Sequence, residues 1–116
     1  SGAIIVSTPQ DIALLDARKG LNMFRKVSVP ILGIIENMSY FICDNCGTTH
    51  EIFNRDGALN TAKTENVDFL GAIPLDTKIR ETSDNGQPIV MSDPESSHAN
   101  SYMEIAKKVI NSLGET

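Results

Sequence analysis

Three short apolar runs, at residues 3–7, 30–36 and 68–73, alternate with segments whose apolar residues recur at helical spacing. No other feature constrains the fold as strongly. Alternation of this kind predicts an α/β architecture in which helices cover a mostly parallel sheet. The first run, Ala3-Ile4-Ile5-Val6-Ser7, is unbroken and β-branched. Such a run predicts a strand buried on both faces, as strands of parallel sheets are.

The punctuation between the runs locates the helices. Thr8-Pro9-Gln10-Asp11 offers a capping hydroxyl, a proline suited to the first helical position and an acid for the first turn. A helix from there to about Lys26 places Ala13, Leu14, Ala17, Leu21 and Phe24 on one face. Ile12, Leu15 and Met23 fall off that face, either as scattered surface or as a second contact surface. A helix is expected over residues 57–66, a third strand ends at Pro74, and a short helix spans residues 77–84. Residues 87–91 read as extended. Asp93-Pro94-Glu95 repeats the chemistry of a helix start. Ala99, Tyr102, Met103, Ala106, Val109, Ile110 and Leu113 then form an apolar stripe that stops near Gly114. The chain opens directly on a strand, which is what a chain beginning inside a fold would do.

At 116 residues with 41% hydrophobic content, there is material for one domain and one core. The net charge of -5, with basic residues only in short pairs such as Arg18-Lys19 and Lys107-Lys108, argues against nucleic-acid binding. No apolar run approaches the roughly 20 residues that a spanning helix needs, and no signal peptide is evident, so no membrane role is expected. A cytoplasmic location is the default, with the mitochondrial matrix as the alternative.

Chemistry concentrates at Cys43-Asp44-Asn45-Cys46-Gly47. A disulfide across so small a loop would stabilise little, so in a reducing compartment the spacing points to metal or redox chemistry. Thiolates suit zinc and iron–sulfur clusters, and both want about four ligands. The chain has two cysteines. Either two copies share one centre, or His50 joins the pair in a zinc site with an open position, or the pair is a dithiol redox couple, or the cysteines are inert. His50 itself reads more simply as a polar loop residue. His98, in the first turn of the last helix, reads as a surface or capping group. Asp16, Glu36, Asp76 and Asp93 are scattered, and no acid–base pair or catalytic triad can be argued from their order. A phosphate-cradling G-x-x-x-x-G-K-S/T loop is missing, since none of the eight glycines precedes a lysine. The chain alone is not expected to hydrolyse ATP, and no catalytic residue is assigned.

The ordered set Val6-Ser7-Thr8-Pro9-Gln10-Asp11, Gly33-Ile34-Ile35-Glu36-Asn37-Met38-Ser39, Cys43-x-x-Cys46-Gly47, Ile52-Phe53, Gly71-Ala72-Ile73-Pro74-Leu75-Asp76, Ile79-Arg80-Glu81, Gly86-Gln87-Pro88 and Pro94-Glu95-Ser96 resembles the Mrp/ApbC family, including its mitochondrial Ind-type and cytosolic Nbp-type members. The resemblance runs over essentially the whole chain. It implies the C-terminal part of a doubly wound, ParA/MinD-like P-loop NTPase domain over residues 1–116, with the phosphate-loop half absent. It implies a homodimer that carries a labile 4Fe-4S cluster between subunits on Cys43 and Cys46, and that delivers it to apo-proteins under control of ATP and magnesium. Asn37 would contact adenine, and Pro74, Leu75 and Asp76 would line the base and ribose side. Both segments end strands, where α/β folds bind ligands. The chain departs from the family at Asp44, where proline is usual, and at Asn54-Arg55-Asp56-Gly57, where Gly-x-Gly-Gly is usual. Two other functions compete with the carrier. One is a zinc-stabilised interaction module. The other is a MinD-like positioning ATPase, which the weakly charged tail lacking a basic amphipathic helix does not favour.

Overall fold

A computed structural model of the chain describes residues 2–42, 45–50 and 57–113. Strand β1 (Ala3–Ser7) leads into helix α1 (Asp11–Lys26), then β2 (Ile31–Glu36), a small pair β3 (Phe41–Ile42) and β4 (Thr49–His50), helix α2 (Gly57–Glu65) and β5 (Phe69–Ala72). Three helices finish the chain: α3 (Thr77–Asp84), α4 (Ile89–Ser92) and α5 (Ser97–Ser112). Strands β1, β2 and β5 form one parallel sheet in that order, with Val6 opposite Ile35, and Ile35 in turn opposite Gly71. The α/β architecture that the alternation predicts is therefore present.

Neighbouring residues on a strand point to opposite faces, so the sheet has two cores. On one face Ile5 and Ile34 pack with Ala17 and Leu21 of α1 and with Ala58 and Ala62 of α2. On the other, Leu70 and Ile73 pack with Ile105 of α5, flanked by Ile35, Ile79, Tyr102 and Val109. Gly71 permits that second contact. A Cβ there would lie 2.7 Å from Ile105 Cγ1, so a side chain would push α5 off the sheet.

Four expectations change. Strand β1 is buried on one face only: Ile5 and Ser7 are covered, whereas Ile4 is 37% and Val6 60% exposed. Helix α5 packs on β5, while β1 packs mainly on α1 and β2. Helix α1 starts at Asp11, later than the Thr8 cap would have it. Gln10 is the N-cap and its carbonyl accepts from Leu14 N at 3.0 Å, while Thr8 Oγ1 bonds the Gln10 side chain. Pro9 is fully buried, its carbonyl close against Gly57 at the head of α2. Residues 89–92 are a helical turn, because the Pro88 carbonyl accepts from Met91 N and Ser92 N. Asp93 closes that turn, and α5 begins later at Ser96, whose Oγ accepts from Ala99 N at 3.1 Å. Finally, the buried stripe of α5 runs through Ala99, Tyr102, Ile105 and Val109. Met103, Ala106, Ile110 and Leu113 lie exposed, and Ile105, absent from the expected stripe, is its centre.

Candidate functional site

Strands β2 and β5 end side by side, and their continuations stay paired. Ile73 N donates to Glu36 O, Ser39 N donates to Ile73 O, and Leu75 N donates to Tyr40 O. Residues 36–40 thus extend β2 alongside 73–75, holding residues 37–38 opposite Ile73. Met38 turns the chain here with φ 54°, a left-handed conformation that a non-glycine residue adopts only where its surroundings hold it. Asn37 assists by accepting from Met38 N at 3.0 Å through Oδ1, and its own N–H donates to Ser7 O.

Above these strand ends lies a cleft of about 640 Å³. Asn37, Pro74, Leu75 and Asp76 all line it, so the structure brings the four expected base-side residues together. It adds Met38, Phe41, Ile79, Arg80, Ser83 and Tyr102. Tyr102 was visible in the sequence only as a member of an apolar stripe, and Ile79-Arg80 only as part of a motif. Their place at one site comes from α3 and α5 leaning over the same strand ends. The cleft is mainly apolar with a few polar groups at its rim, the usual composition of a small-molecule site. Burial pushes the Tyr102 hydroxyl above its ordinary pKa, so it stays a neutral donor and acceptor at physiological pH.

Asp76 works at the edge of this cleft. Oδ1 accepts from Lys78 N at 2.7 Å, capping α3, and Oδ2 meets His98 Nε2 at 3.0 Å. Both side chains are largely covered, at 11% and 16% exposed. His98 is therefore no surface cap. The reach of α5 back onto the start of α3 turns it toward Asp76, a pairing that residues 22 positions apart in sequence do not advertise. It also supplies a carboxylate–imidazole pair where sequence order gave none.

Of the metal candidates, Cys43 lies outside the described residues, as do Asp44, Ile52, Phe53 and the 54–56 departure. Cys46 is exposed, with its Sγ 3.1 Å from Thr48 Oγ1. It sits in the hairpin whose strands pair Phe41 with His50 and Ile42 with Thr49. The His50 ring lies 6.3 Å from that of Phe41. Among the described residues no group of three or more His, Cys, Asp or Glu side chains is arranged to hold a metal ion. Phe41 belongs both to this hairpin and to the wall of the cleft, so the cysteine segment and the cleft adjoin.

The profile of the ParA-type NUBPL iron-transfer P-loop NTPases matches residues 1–110. The chain belongs to the NUBPL iron-transfer P-loop NTPase family. It is 53% identical over 113 residues to the iron–sulfur cluster transfer protein NUBPL of Dictyostelium discoideum, covering 97% of this chain and 35% of that protein. It is 50% identical to the iron–sulfur cluster carrier protein of Pyrococcus horikoshii, covering 97% of this chain and 38% of the carrier. Among solved structures it resembles the septum site-determining protein MinD of Pyrococcus horikoshii complexed with Mg-ADP. The TM-score is 0.75 and the identity 29%, over 97% of this chain and 42% of that one. This NUBPL-family chain therefore has a MinD-like P-loop NTPase fold, and it spans little more than a third of the length of these relatives. No helix among its described residues is long and apolar enough to cross a membrane.

Proposed function

We propose that this chain is the cluster-holding and base-binding part of an ATP-dependent iron–sulfur cluster carrier. One observation carries the reading. The four residues expected to face a nucleotide base line one cleft, and Phe41 in its wall opens the hairpin that bears Cys46. A carrier whose cargo is released under nucleotide control needs its two sites adjacent, and here they share a residue.

In the cleft, adenine lies against the ring of Pro74 and the side chains of Leu75 and Ile79. Asn37 Oδ1 is engaged by Met38 N, which leaves the amide N–H groups of Asn37 to donate to acceptor nitrogens of the base. Tyr102 and Ser83 offer hydroxyls at the rim. Asp76, held by Lys78 N and His98, sets the ribose side. The chain's glycines supply no phosphate loop, so binding of the triphosphate and magnesium falls to another part of the protein, and this chain alone turns over no ATP.

The cluster is cargo. Cys43 and Cys46 give two thiolates per chain, and a four-iron cluster takes four, so two copies hold it between them. An exposed Cys46 suits a centre that is handed on to apo-proteins. Chains of this kind work in a reducing compartment, the cytoplasm or the mitochondrial matrix.

Anaerobic reconstitution of the whole protein with iron and sulfide tests the reading, with Cys43→Ser/Cys46→Ser alongside. The expected product is a brown dimer with about four irons per pair that the double variant cannot form. A colourless protein holding one tight zinc would overturn the carrier and favour a zinc-stabilised module.

A further inference from the structure

Glu36 is the last residue of β2 and only 1% exposed. A carboxylate buried so deeply needs hydrogen bonds to both oxygens. It obtains them from two places far apart in the sequence. Oε1 accepts from Ser39 Oγ, itself fully buried, and Oε2 accepts from Ala58 N at 2.8 Å. Ser39 precedes the hairpin that bears Cys46, and Ala58 lies in the first turn of α2, immediately after the segment ends. The N–H groups of a first helical turn have no partner within the helix and favour negative charge, so the carboxylate is held there as well as holding. One buried side chain thereby ties the entry and the exit of the whole cysteine segment to the strand end that carries Asn37.

We infer that Glu36 is a positioning residue for the cysteine segment. Its carboxylate fixes where that segment leaves and rejoins the sheet, and hence where the thiols stand relative to the cleft. This rests on the proposal that Cys43 and Cys46 hold the cluster. Glu36 acts through Ser39 and the head of α2. Supporting groups of this kind typically change metal retention by about 10- to 100-fold when lost.

Glu36→Gln is the sharpest change, because the amide keeps the size but removes the charge that the first turn of α2 favours; Ser39 Oγ can accept from the new NH2 instead of donating, while Ala58 N is left with a neutral acceptor and a weaker bond. The whole protein is reconstituted, and the rate of cluster loss to an iron chelator is followed by visible absorption. Ile34→Val, a core change on the same strand, serves as the stability control. The expected result is loss about 10- to 100-fold faster in Glu36→Gln than in native protein or Ile34→Val, with nucleotide affinity unchanged. In cluster-free protein the Ala58 amide should exchange faster in Glu36→Gln and not in Ile34→Val. Cluster loss no faster than in Ile34→Val overturns the inference while leaving the carrier intact. Should Glu36→Gln fail to fold, Ser39→Ala removes one arm only and is judged by the same comparison. If Cys43→Ser/Cys46→Ser retains its cluster, the carrier reading fails and the positioning role falls with it.

Discussion

The cleft above the strand ends and the cysteine hairpin are neighbours built in opposite ways. The cleft stands on two strand ends cross-linked by backbone bonds on both sides of Pro74, over a core in which Ile73 is 3% exposed. The hairpin has two residues per strand, and Thr49, His50 and Cys46 are all exposed. A two-stranded ribbon of that size is at best marginal by itself. The cleft is thus shaped by the fold before any ligand arrives. On either side of the hairpin, Ser39 and Ala58 are held by the buried Glu36. Under the proposed function, the first design would suit repeated nucleotide binding and the second the release of cargo.

Substitutions can break that contrast. The largest effect falls on the hairpin's function: Cys43→Ser/Cys46→Ser should abolish cluster binding yet leave the thermal midpoint of cluster-free protein unchanged, since the exposed Cys46 contributes nothing to the core. A drop in the midpoint would mean that the hairpin helps to hold the fold. Ile34→Ala strikes the scaffold beneath the cleft. Ile34 is fully buried, and its loss should cost about 2–5 kcal/mol in chemical denaturation. Asn37→Ala probes the cleft together with the Met38 turn in its wall. It should weaken nucleotide binding to the whole protein by about tenfold, the value of one or two hydrogen bonds, with cluster content preserved; calorimetry and iron analysis on one sample decide both. Ser96→Ala removes the cap of α5, which carries Tyr102 to the cleft, and should cost about 1 kcal/mol. Arg25→Ala, which removes a half-exposed link between α1 and Glu65 of α2, should cost no more than about 1 kcal/mol and alter neither site.

Much of the cleft was legible in the sequence because its residues follow directly from strand ends. Asn37 comes one residue after β2, and Pro74 two after β5, and in a parallel sheet those ends must lie on one edge. The helical walls were harder to read. Tyr102 and Ile79 reach the cleft only once α5 and α3 have chosen how to lie across β5. The stripe on α5 was placed too broadly, toward Met103 and Ala106, because several registers of that helix give an apolar face. Gly71 selected among them by admitting Ile105.

The sequence by itself determined the three strands of the parallel sheet, their ends and helices α1, α2, α3 and α5, because periodicity and turn chemistry are written within each segment; the β3–β4 pair and the α4 turn were not legible there. Tertiary structure alone decided how α5 lies on β5, since that depends on the packing of a helix from the other end of the chain. It also decided that His98 meets Asp76, and that Glu36, one of four scattered acids in sequence, is buried between Ser39 and the head of α2. A charged side chain carries no local sign of its burial, because its partners are brought to it by the packing of other elements.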